Sequence, residues 1–332
     1  MPTKTIKDAG GDYTTLAAWI AGEQGDLVAA TEIRIADCYD LAAADTAVVD
    51  IDGSTTNASY YLQIQSHTNH NGVWTASAYE LAPVTFNPSI TIQDDYTRIV
   101  GLQISTTGAG AYAGQGIKVV TVGGCRIERC LIKNLYSGTN TSGINRGINA
   151  GLGVGVTVFI SNNIVYGFDE DEPAEPTVGI FVGNATAYAY NNTVYGCTQG
   201  IMESGGNTCR AKNNLCAASA TADFVGAFHA SSDYNASSDT TAIGANKRIS
   251  QTFTFVSTTG GSEDLHLTAG DAGARAHGTT LAADADYPIS VDVDNATRTG
   301  TWDIGADQIT VAGTGAVLLL TTTGMDNMGA MR

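Results

Sequence analysis

Short runs in which apolar and polar residues alternate recur through the middle of the chain. Four of them share a frame: Cys125 to Leu135, Val158 to Gly167, Tyr188 to Gly196 and Cys209 to Cys216. A period of two is the signature of a strand with one face buried and the other exposed. Aligned on Cys130, Asn163, Asn192 and Asn214, the runs are offset by 33, 29 and 22 residues. The first three are each followed by a Gly-Ile step, at Gly147-Ile148, Gly179-Ile180 and Gly200-Ile201. An earlier run, Tyr96 to Ile104 followed by Gly116-Ile117-Lys118-Val119, fits the same frame.

Unequal offsets with a constant strand pattern predict a coil whose strands stay in register while loops vary at one corner. Asn, Asp and Gly between the runs supply corners, because they tolerate left-handed backbone. The hairpin dipeptides of a β-sandwich do not separate these runs, and no long 3.6-residue period interrupts them. The fold class predicted is all-β, a right-handed parallel β-helix with a short N-terminal capping helix and an irregular C-terminal β region. A solenoid needs capped ends. Residues 1–30 are read as the N-terminal cap, with a helix near Asp12 to Ile20 that lays Leu16, Trp19 and Ile20 over the first coil. Residues 31–250 are the β-helix, 251–310 are C-terminal rungs and cap, and 311–332 are a tail. In that tail Val317, Leu318, Leu319, Leu320, Met325 and Met328 are candidates for contact with a neighbouring subunit.

Composition narrows the function. With 33 acids against 16 bases the net charge is -17, which repels phosphate backbones and excludes nucleic acid as a partner. The longest apolar run, near Ala316 to Leu320, is too short to span a bilayer, so no membrane partner is expected. The opening residues lack an apolar signal-peptide core, which predicts synthesis in the host cytoplasm without a signal peptide. The six cysteines form no CxxC pair and no zinc-ligand spacing, and are read as reduced core residues.

Candidate chemistry is sparse. Carboxylates cluster at Asp94-Asp95 and in the run Asp169 to Glu172 with Glu175, between Pro173 and Pro176. Asp169, Asp171 and Glu172 are the candidates for a Ca²⁺ site, yet the run lacks the ligand spacing and turn glycine of an EF-hand, and a solvated loop tip is the simpler reading. No other cofactor and no assembled catalytic set is expected. Arg98, Arg126, Arg129, Arg146 and Lys118 lie on strands or corners, as candidates for outward positions along one wall. His266, between Leu265 and Leu267, is expected to point away from the face they bury. Tyr166 and Tyr195 occupy equivalent rung positions and should stack, as a carbohydrate platform or subunit interface if outward, and as packing, the favoured reading, if inward or at a corner.

Several stretches resemble phage-encoded and metagenomic right-handed β-helix proteins, the virion structural type within the pectate-lyase-like superfamily. They are Asn71-Gly72-Val73-Trp74 with Tyr79-Glu80-Leu81, the rung through Ile90 to Ile104, Ser232 to Asn235, and Asp264 to Leu267 through Asp294 to Arg298 and Trp302 to Asp307. Gly10 to Leu16 and on to Asp26-Leu27-Val28 resembles their openings. The chain departs from the terminal motif at Asp271-Ala272-Gly273-Ala274, where Ser-Pro-Ala is usual. The resemblance implies a non-enzymatic structural component of a bacteriophage-like virion, a capsid decoration protein on the particle surface. Its implied partners are further copies, as a homotrimer, and capsid or tail proteins. The alternatives it carries are a β-helix polysaccharide lyase or hydrolase and a glycan-binding tailspike.

Overall fold

The structure is a computed structural model that describes residues 1–85, 87–108, 114–120, 123–136, 144–151, 156–169, 177–206 and 208–309. Its described strands form three long parallel sheets, each made of one strand per coil, and a two-stranded antiparallel ribbon. The chain passes wall I, wall II and wall III in turn and then returns to wall I one level higher, as a right-handed parallel β-helix. Wall I has eight strands: Thr3–Ile6, Arg34–Cys38, Leu62–Ser66, Arg98–Val100, Cys125–Glu128, Thr157–Ser161, Thr186–Tyr190 and Cys209–Lys212. Wall II has seven, from Glu80–Leu81 through Leu131–Asn134 and Ile164–Tyr166 to Ala236–Ser237. Wall III also has seven, from Val49–Ile51 through Arg146–Ala150 to Ala222–Val225.

Like residues stack on like through the interior. Ile64, Ile99, Ile127 and Ile160 are successive partners in wall I. Ile90, Ile117, Ile148, Ile180 and Ile201 are successive partners in wall III, and all are fully buried. The Gly-Ile steps have a packing reason. A Cβ on Gly147 would stand 2.4 Å from Val165 Cγ1 and 2.6 Å from the Gly179 carbonyl, and Gly179 is just as crowded by Val194. At one end of the coil, the helix Leu16–Glu23, N-capped by Thr15, buries Leu16, Trp19 and Ile20.

The corner between walls I and II carries the asparagine series. Arg129, Asn162, Asn191 and Asn213 adopt positive φ, and the next residue turns its side chain inward. Asn163 Oδ1 accepts from Cys130 N, Asn192 Oδ1 from Asn163 N, and Asn214 Oδ1 from Asn192 N, each at 2.9–3.0 Å. Asn235 extends the ladder by one step, accepting from Asn214 N. Each Nδ2 also donates to a carbonyl of the preceding coil, those of Ile127, Ile160, Ala189 and Ala211. All four amides are fully buried.

After the last rung the chain doubles back. The ribbon of Phe255–Ser257 and Asp264–Leu267 and the loops to residue 309 lie against the outer sides of walls I and II. Asn192→Ala would leave the buried Asn163 N–H without its acceptor, at about 1–3 kcal/mol, and would remove the donor to the Ile160 carbonyl and the buried packing of the side chain. The expected result is a loss of about 2–3 kcal/mol of stability, read as a fall in the urea unfolding midpoint; an unchanged midpoint would refute the ladder's structural role.

Candidate functional site

Alternation along the wall I strands turns two columns of side chains outward. One column runs Gln63, Arg98, Arg126, Phe159, Tyr188 and Arg210. The other runs Asp37, Gln65, Val100, Glu128, Ser161, Tyr190 and Lys212. Cations and rings lie against one another on this face. Arg98 lies over the Tyr61 ring at 3.8 Å, and Arg126 is 5.2 Å from both Phe159 and Tyr287. Phe159 stacks on Tyr188 at 5.0 Å, and Arg210 lies 5.1 Å from the Tyr188 ring. Such pairs hold planar guanidinium groups flat while leaving N–H donors at their edges.

The returning C-terminal segment covers half of this face. Tyr287, fully buried, donates its hydroxyl to the Glu128 carboxylate and lies 2.8 Å from Ser161 Oγ. Lys212 donates to Asp284 at 2.5 Å, and Arg210 pairs with Asp286 at 3.7 Å. The other half is open. A groove of about 240 Å³ is lined by Gln65, Ser66, His67, Asn69, Val100, Gly101, Arg129 and Asn295. Arg129 also lines a second hollow, of about 160 Å³, with Glu128, Asn162 and Pro288 to Val291. At the mouth of the groove, His67 Nδ1 is 2.8 Å from Asp37 Oδ2 and its ring stacks on Tyr39 at 3.6 Å. Asp37 and Glu128 share a column but stand three strand steps apart, roughly 14 Å. That exceeds the carboxylate spacing of glycosidases, which is about 5–9.5 Å.

A separate polar cluster sits where the C-terminal segment meets the coil. Arg298 is buried, and burial lowers its pKa to about 10. It donates to the carbonyls of Gly305 and Ala306 at 2.7 Å and to that of Asp303 at 3.2 Å. Nearby, His266 Nδ1 is 2.5 Å from Asp264 Oδ1 and Nε2 is 3.2 Å from Asp294 Oδ1. Burial alone would lower the His266 pKa, but Asp294, Asp307 and Asp264 outweigh it and raise it to about 9. Burial raises Asp307 to about 6. His266, Asp294 and Asp307 place ligand atoms within 4.8 Å of one another, a set able to hold a metal ion.

The other residues singled out in the sequence fall elsewhere. Asp169 is exposed, while Asp171, Glu172, Val317, Leu318, Leu319, Leu320, Met325 and Met328 lie outside the described residues. Asp94 is a buried clamp that accepts from Gly53 N at 2.9 Å and Ser54 N at 3.0 Å. Arg146 and Lys118 belong to wall III, and Arg146 is buried over Phe181 at 3.4 Å, so the basic residues do not share one wall. Tyr166 and Tyr195 are register partners on the outer side of wall II. They are covered by Leu265, Val293 and Phe255, so an outward stack serves packing after all. All six cysteines are free and buried. The His67–Asp37 pair and the His266 cluster escaped the sequence reading. Their members are far apart in the chain, and the outward direction of His266 was the one signal available.

No family model matches the chain, and a search of curated proteins finds no similar one. Among solved structures, the crystal structure of pectate lyase Pel9A is similar over 93% of this chain and 96% of that one, at 11% identity and a TM-score of 0.35.

The cover over wall I should be acid-sensitive. Burial would raise the Asp284 pKa, but hydrogen bonds from Lys212 and from the Tyr287 and Asp286 amides outweigh it and hold it below the ordinary 3.8. A depressed carboxylate stabilises the fold above pH 3.8 and loses that contribution as pH falls through its lower folded value. Lys212→Met should cost about 1–2 kcal/mol and move the acid release of residues 284–289 to higher pH, followed by amide hydrogen exchange. Exchange unchanged by the substitution would show that the pair does not fasten the segment.

Proposed function

We propose that this protein is a rigid, non-catalytic β-helix that engages an anionic polysaccharide along wall I, as a structural component on the surface of a phage-like particle. The observation that carries the glycan part is the cation and ring face beside an open groove. In a chain with net charge -17, Arg98 and Arg126 are neighbours on the outer side of wall I, and Arg129 lines the groove at that wall's corner. Arginine forks suit uronate or sulfate groups, ring faces suit the apolar faces of sugars, and Gln63 and Gln65 add neutral donors and acceptors. A rod of stacked coils offers successive sugar units a repeating surface.

The particle setting, a capsid decoration protein made in the host cytoplasm and assembled as a homotrimer through its chain ends, rests on the likeness of the 264–267, 294–298 and 302–307 stretches to the terminal motif named above. It is tested by finding the chain in purified particles at a lattice-related stoichiometry. Its absence from particles would refute the setting and leave the glycan reading standing.

One observation favours a second reading, a lyase. His67 is oriented by Asp37 through Nδ1, which leaves Nε2 as a base in the groove that Arg129 also lines. A base next to a cation that neutralises a uronate is the minimum for β-elimination.

One experiment separates these. Binding to a uronic-acid polysaccharide such as alginate, with neutral dextran as control, is measured by affinity electrophoresis while unsaturated ends are followed by ultraviolet absorbance. The proposal expects retardation by alginate alone, about tenfold weaker binding for Arg98→Ala, and no unsaturated product. Product that disappears in His67→Asn would establish the lyase instead, and equal retardation of Arg98→Ala and the native chain would refute the wall I site.

A further inference from the structure

We propose that His266, Asp294 and Asp307 form a binding site for a first-row divalent transition metal, which fastens the C-terminal segment to the coil. Three separate stretches meet here: the ribbon strand Asp264–Leu267, the loop at 292–295 and the turn at 303–307.

The imidazole is oriented as a ligand. Asp264 holds Nδ1, which fixes the ring with Nε2 facing Asp294, the carboxylate–histidine arrangement that orients metal-bound rings; an ion would take the place of the Nε2 proton that Asp294 otherwise accepts. The 3.2 Å between Nε2 and Asp294 Oδ1 fits the edge of a tetrahedron with bonds of about 2.0–2.1 Å. Asp307 is buried; one of its oxygens accepts from Leu267 N at 3.2 Å, and the other has no hydrogen-bond donor among the described residues.

The space beside Nε2 is kept open by a glycine. Gly72, from an early loop of the coil, packs against this edge of the ring. A Cβ there would stand 2.5 Å from Nε2 and 3.2 Å from Asp294 Oδ1, in the volume an ion would take. Neighbouring contacts tie the same loop to the site: Asn69 Nδ2 donates to the Asp294 carbonyl, and Val73 bridges to Asp264.

Charge points the same way. Asp264, Asp294 and Asp307 surround one histidine, so a proton on the ring offsets one of three carboxylates, and the charge of Arg298 is shared among Asp307, Asp292 and Asp303. The buried cation nearby, Arg298, directs its donors to carbonyls and to the Asn162 side chain. A divalent ion supplies the missing charge. One nitrogen and two oxygens favour Zn²⁺ and its neighbours in the first row over Ca²⁺ or Mg²⁺, which take oxygen ligands.

The test titrates the full chain, stripped with chelator, with ZnCl₂ by calorimetry and with Co²⁺ by visible absorption. The expected result is one equivalent bound, with a tetrahedral Co²⁺ spectrum free of a thiolate charge-transfer band. Affinity should fall at least tenfold in Asp294→Asn, Asp307→Asn and Gly72→Ala, and should be unchanged in His67→Asn. If Asp307→Asn fails to fold by circular dichroism, the less buried Asp294→Asn decides. Absence of saturable binding, a thiolate band, or native affinity in Asp294→Asn would overturn the site. None of these results depends on the glycan reading.

Discussion

Each coil of this protein must turn between walls I and II without abandoning the polar groups of the turn inside an apolar core. The buried amide of Asn163, Asn192, Asn214 or Asn235 meets that constraint, with an oxygen that accepts the backbone N–H of one neighbouring coil and a nitrogen that donates to a carbonyl of the same coil. A buried N–H or C=O left unpaired costs about 1–3 kcal/mol, so the ladder fixes both register and spacing. Everything outside follows from that register. With the interior columns aligned, the alternate, outward-facing positions of wall I fall into two straight columns, and arginines and rings separated by about thirty residues in sequence become neighbours.

The coil was legible because its signal is local and repeated. Alternation, the Asn alignment and the Gly-Ile steps all report the environment of one residue against the next coil, and each offset read from the sequence reappears as a hydrogen bond from a backbone N–H at the corner to the asparagine side chain of the next coil. The fourth asparagine of the ladder, Asn235, was hidden because the strand after it, Ala236–Ser237, is only two residues long and lacks the flanking alternation. The candidate sites were less legible. That Arg98 and Arg126 face outward could be read from alternation, but that they meet Tyr61 and Phe159 depends on register across coils. The destination of the C-terminal segment was illegible for a stronger reason: it packs through irregular loops, whose contacts carry no period. Tyr166 shows the consequence, since its direction and its burial are decided by different parts of the chain.

The returning segment also explains how an acidic chain keeps charges inside. Arg298 and the Asp292, Asp303 and Asp307 carboxylates are buried together, and each carboxylate is raised by burial while the arginine is lowered. Their value lies in the backbone they bind: Asp292 and Asp303 accept from main-chain amides, and Arg298 donates to main-chain carbonyls, so irregular loops acquire the pairing that strands receive from their neighbours. The same device that caps the coil leaves half of wall I uncovered, and it places the groove beside Arg129 at the edge of that cover.

The central functional claim is that the uncovered half of wall I is a glycan surface. A crystal structure with a uronate oligosaccharide tests it most directly. The account predicts sugar density lying along Gln63, Gln65, Arg98 and Arg129, with a carboxylate within hydrogen-bond distance of a guanidinium. Density confined to another wall, or a bare wall I at saturating oligosaccharide, would contradict it.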